Sequence, residues 1–119
     1  MKYMLLIHQG SAPTPRDPEA WARLSEEEQQ AVYADYGAIN QTPGVTPGVE
    51  LAEPGTATTV RVEDGRTLTT DGPFVEIKEA IGGFMFLDAD DLDSAIELAA
   101  KVPAARLGGA VEVRPVVER

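Results

Sequence analysis

Close to the start of the chain, Tyr3-Met4-Leu5-Leu6-Ile7 offers apolar side chains to both faces of any strand it forms. Successive strand residues point to opposite sides, so Met4 and Leu6 share one face while Tyr3, Leu5 and Ile7 share the other. A strand of this kind belongs in the middle of a sheet that is covered twice. The whole fold has to supply those two covers. With 119 residues, the chain is a single domain over 1–119, long enough to build a core.

The remaining elements follow from local signals. Asp17-Pro18 gives an N-cap followed by proline at the first helical position, which predicts a short helical turn through Trp21. Ser25-x-x-Glu28 is a capping box that opens a longer helix, with Val32, Tyr36 and Ile39 at helical spacing and Pro43-Gly44 at its end. Residues 46–55 are punctuated by Pro47, Gly48, Pro54 and Gly55, leaving room for at most a short strand around Val49–Leu51. Thr56–Val62 alternates and is β-branched, Asp64-Gly65 supplies a tight turn, and Thr67–Thr70 returns. Gly82–Leu87 is a further strand, with Phe84 and Phe86 on one face and Met85 and Leu87 on the other. Asp90 or Asp91 caps a helix through Leu92, Ile96 and Ala99 that stops before Pro103. Val111–Arg114 closes the pattern.

The order is β-α-β-(hairpin)-β-α-β, an α+β, ferredoxin-like sandwich with a hairpin arm inserted before the third main strand. Two helices cover one face of such a sheet. The second face is left to another copy of the molecule, since leaving it wet forfeits roughly 25 cal/mol per Å² of apolar area. A homodimer packed sheet to sheet is therefore expected.

Twenty acidic against ten basic residues give a net charge of −10. That field repels phosphate backbones, so no direct nucleic-acid contact is expected. The absence of cysteine removes disulfides, thiolate catalysis and sulfur-ligated metals. The N-terminal apolar run is too short for a signal peptide or membrane span, which makes the cytoplasm the default compartment. The acidic run Asp88-x-Asp90-Asp91-x-Asp93 lacks the glycine and glutamate of a calcium loop, with Asp93 and Ala99 at those places. It suits a helix N-terminus better. No phosphate-cradling loop, nucleophile elbow or zinc spacing occurs, so neither a cofactor nor a metal is expected.

The chemistry-bearing block is Asp71-Gly72-Pro73-Phe74-Val75-Glu76-Ile77-Lys78-Glu79. It closely resembles the "DGPFAETKE" signature of one branch of the YCII-related proteins, and the likeness runs on through Gly82-Gly83-Phe84 to Val111-Glu112-Val113-Arg114-Pro115. The resemblance implies the dimeric α+β-barrel superfamily. Some YCII-type relatives resemble acid/base enzymes with a His–Asp pair whose histidine opens the first helix. Here that region reads Asp17-Pro18-Glu19-Ala20-Trp21, so the pair does not carry over.

Two readings compete for each candidate. Asp71 either holds the Gly72-Pro73 turn or acts as a general base at a cavity between sheet and arm, its pKa raised by burial against Phe74. Glu76 and Lys78 share one face of an extended segment, and Ile77 and Glu79 the other. They form either solvated ion pairs or a ligand site in which Lys78 is the cation or proton donor and Glu76 orients it. His8, the sole histidine, ends the first strand and is the side-chain type most suited to acid/base exchange at physiological pH. Gly82-Gly83 marks a bulge or a close approach, by a ligand or by the partner subunit. Trp21 and Tyr36 belong either to the core or to a pocket wall. Two functions follow. One is an acid/base enzyme of isomerase, dehydratase or lyase type acting on a small metabolite through Asp71, His8 and Lys78, with Phe74, Glu76, Glu79 and Gly83 around the ligand. The other, implied by the resemblance, is a non-catalytic ligand-binding or accessory module beside an extracytoplasmic-function sigma factor.

Overall fold

Lys2–His8 forms β1, and its side chains alternate between buried Tyr3, Leu5 and Ile7 and half-buried Met4, Leu6 and His8. The computed structural model describes residues 1–72 and 81–119. Among these residues, six strands and four helices follow one another as β1, α1 (Pro18–Trp21), α2 (Glu26–Asn40), β2 (Val45–Glu50), β3 (Thr58–Glu63), β4 (Arg66–Asp71), β5 (Ile81–Asp88), α3 (Leu92–Ala99), α4 (Pro103–Leu107) and β6 (Ala110–Pro115). A single 3₁₀ turn, Pro54–Thr56, precedes β3. The main sheet is antiparallel in the order β2-β5-β1-β6, which places β1 and β5 centrally, as a ferredoxin-like α+β fold requires. β3 and β4 make a separate two-stranded ribbon, the inserted arm.

Local chemistry sets the boundaries. The Asp17 carboxylate accepts from Ala20 N–H and caps α1. Ser25 and Glu28 make the reciprocal capping box of α2. Asp91, rather than Asp90, caps α3 by accepting from Ser94 N–H at 2.8 Å. In the arm, Asp64 and Gly65 both take positive φ, at 51° and 75°, the pair a tight hairpin needs.

Three departures from the sequence expectation have physical causes. β2 extends back to Val45, with its pairing to β5 broken between Thr46 and Val49 where Pro47-Gly48 cannot continue the ladder. Pro103 ends one helix and opens another: it is the first residue of α4, which Gly108 terminates in a left-handed conformation. In α3 the inward face is Ala95, Leu98 and Ala99, while Leu92 and Ile96 are exposed.

The core lies between the sheet and the helices. Tyr3, Leu5, Ile7, Met85 and Leu87 meet Ile39, Leu98, Ala99 and Val102 there. The other face of the sheet carries half-buried Met4, Leu6, Phe84 and Phe86 in adjacent register. The Phe84 and Phe86 rings meet edge to face at 6.3 Å, and Lys2 Nζ stands 5.8 Å from the Phe86 ring centre. No element of the protomer covers this face among the described residues, and the sheet does not close into a barrel by itself. No helix among them is long and apolar enough to cross a membrane.

Candidate functional site

Where β5 and β2 meet the loop after β1, a cavity of about 360 Å³ opens between the sheet and the helices. Its apolar wall includes Ile7, Trp21, Val32, Leu51, Met85 and Leu107. Its polar groups include Gln9, Arg16, Tyr36, Asn40, Glu50 and Glu53. The size falls within the range usual for small-molecule sites, as does the mix of apolar surface and few polar groups.

Each wall traces to a local cause. α1 is short, and it is held by Gln29 of α2, whose Nε2 donates to the Trp21 carbonyl at 2.9 Å. Trp21 then meets Tyr33 edge to face at 5.6 Å. Arg16 ties the front together. Its Nε donates to Glu50 Oε1 at 2.7 Å and Nη1 to Glu53 Oε1 at 3.2 Å, while Nη2 donates to both Glu50 Oε1 and the Leu51 carbonyl. One guanidinium thus clasps the 50–53 segment to the loop that follows β1. The hydrogen bonds that Arg16 donates to Glu50, ahead of the other contributions, hold its pKa above the ordinary value.

Tyr36 is the titratable group most enclosed at this cavity. Burial first, then the negative charge of Glu50, raises its phenol above the ordinary value, and Arg106 offsets only part of this. At neutral pH the hydroxyl is a hydrogen-bond donor and a proton reserve, not a base.

The sequence candidates fall in different places. Gly83 lines the cavity, and the group approaching it is the neighbouring strand: a Cβ there would stand 2.7 Å from the Val49 carbonyl oxygen. His8 lies on the opposite face of the sheet, its Nε2 3.2 Å from Glu112 Oε1. Glu112 also accepts from Arg114, and these two contacts, Arg114 first, hold its carboxyl below the usual range. Asp71 is exposed at the end of β4, opposite Thr58. Among the described residues, no part of the β3–β4 arm lines the cavity, which sits between sheet and helices rather than between sheet and arm. Phe74, Glu76, Lys78 and Glu79 lie outside the described residues. Among the described residues no group of three acidic or histidine side chains converges as metal ligands would.

Trp21 and Tyr36, weighed above as core or pocket wall, line the cavity. Arg16, Glu50 and Glu53 had no sequence signal. Arg16 and Glu50 lie 34 positions apart, and the pairing of both β1 and β2 with β5 brings their segments together.

An open α+β, ferredoxin-like sandwich with a pocket between sheet and helices defines a broad structural class. Within it, the chain matches the YCII-related domain over residues 1–119, and it belongs to that family. It is also 32% identical over 121 residues to the Uncharacterized protein R00369 of Rhizobium meliloti (strain 1021), spanning 98% of this chain and 92% of the relative.

Proposed function

We propose that the protein is a homodimer in which each protomer binds a small metabolite in the cavity between sheet and helices. The observation that carries this reading is the cavity itself, with one aromatic wall at Trp21 and one enclosed hydroxyl at Tyr36. Gly83 belongs to this ligand site. Acid/base turnover of the bound metabolite, of the isomerase, dehydratase or lyase type, falls to Tyr36 as proton donor with Glu50 as the nearby carboxylate. This reading leaves His8, on the far face of the sheet, and Asp71, on the exposed arm, outside the site.

The experiment uses the single tryptophan. The indole ¹H–¹⁵N resonance of Trp21 is followed while a metabolite library is added. Binding in the cavity moves this resonance, and a library that leaves it unmoved overturns the proposal. For any binder, Tyr36→Phe is expected to keep the Trp21 shift and to abolish conversion of the ligand. Conversion that survives in Tyr36→Phe rules out the acid role of Tyr36, whereas a ligand that the wild type binds without converting leaves a non-catalytic binding module.

A further inference from the structure

The charge arrangement at the cavity narrows the ligand class. Arg16 is the one Lys or Arg among its described lining residues, and every guanidinium nitrogen of Arg16 already donates to Glu50, Glu53 or the Leu51 carbonyl. Among the described lining residues, two carboxylates against one guanidinium leave a formal charge of −1, and the chain as a whole carries −10. An anionic ligand would enter against that field and find its natural partner taken. A carboxylate or phosphate moved from water onto the apolar wall without a counter-ion loses its hydration uncompensated. The polar side chains that remain among the described lining residues are neutral: the Tyr36 hydroxyl, a donor at neutral pH, the Thr14 hydroxyl, and the Gln9 and Asn40 amides. They match carbonyl and hydroxyl groups.

Resting on the reading of the cavity as a ligand site, we propose that it selects uncharged, largely apolar ligands bearing carbonyl or hydroxyl groups, and that Glu50 and Glu53 enforce the choice by occupying Arg16. The two glutamates are specificity determinants through negative selection: they occupy the one positive charge among the described lining residues, which would otherwise recruit an anion.

The test measures dissociation constants of three naphthalene probes from the Trp21 indole resonance at neutral pH. The probes are 2-naphthol, 2-naphthoate and 2-naphthylmethylammonium, which share a ring system and differ in charge. In the wild-type protein 2-naphthol is expected to bind about tenfold or more tighter than 2-naphthoate. In Glu50→Gln/Glu53→Gln the ratio is expected to fall to about threefold or less, because Arg16 is released. Both glutamates are exposed, so the fold survives the exchange, which far-UV circular dichroism checks. Adding Arg16→Gln to the double variant is expected to remove the gained naphthoate affinity. Naphthoate or the ammonium probe binding the wild type as tightly as naphthol overturns the proposal, as does an unchanged ratio in the double variant. If none of the probes moves the Trp21 resonance, this proposal fails together with the ligand-site reading. Tight binding of a charged probe overturns the selectivity alone.

Discussion

Among the described residues, three carboxylates are held below their ordinary pKa by hydrogen bonds, and two of them sit at helix starts. Glu28 accepts from the Ser25 backbone N–H at α2, and Asp91 from Ser94 at α3. A carboxyl whose folded pKa is depressed stabilises the protein above its unfolded value and loses that contribution as pH falls through the folded value. The window therefore opens below the ordinary values of 4.5 for Glu28 and 3.8 for Asp91. Asp91→Asn keeps a capping side chain but no longer titrates. It is expected to flatten the acid limb of a stability-versus-pH curve while leaving stability at neutral pH nearly unchanged. A curve that keeps its wild-type slope below pH 3.8 would contradict the cap's role. Ser25→Ala, by contrast, loses the cap at every pH and is expected to cost about 1 kcal/mol in urea denaturation.

At the scale of elements, α3 shows how tertiary packing chooses among equally apolar positions. Leu92, Ile96 and Leu98 look alike in sequence, yet Ile96 is 50% exposed and Leu98 only 6%. The reason is geometric: the short helix packs against β6, and the arc it buries is filled by Ala95, Leu98 and Ala99. Leu98→Ala is expected to destabilise by about 2–5 kcal/mol, as buried large-to-small changes do. Ile96→Ala is expected to stay within about 0.5 kcal/mol of wild type, as exposed substitutions do. Equal losses for the two in chemical denaturation would place the buried face elsewhere. The arm is the opposite case. Val60 and Val62 alternate as a strand should, and both are exposed, because the ribbon has no third element of the described residues packed along it.

For the molecule as a whole, the uncovered face of the main sheet is the outstanding feature. Met4, Leu6, Phe84 and Phe86 form its apolar stripe, with Lys2, His8, Glu112 and Arg114 around it. A rim of both charge signs suits a two-fold contact, in which one patch meets its own copy. The proposed sheet-to-sheet dimer predicts a sedimentation mass of two chains at micromolar concentration. Phe86→Glu puts a charge into the stripe without touching the core face, and is expected to give a folded monomer. A wild-type monomer under the same conditions would refute the pairing.

Much of the fold was legible because its signals are local. The Ser25-x-x-Glu28 box, the Asp64-Gly65 turn and the two-sided apolar run of β1 each depend on residues within a few positions of one another, where sterics and backbone hydrogen bonding leave few options. From these the element order followed, and with it the ferredoxin-like sandwich. The cavity was not legible in the same way. Trp21 and Tyr36 were visible as aromatic candidates, but whether they packed into the core or walled a pocket depended on how α1 and α2 lie over the sheet. Arg16, Glu50 and Glu53 carry no motif at all. Their meeting is decided by strand pairing over long sequence separations, and charge interactions take their meaning from distance in space, which only the folded chain fixes.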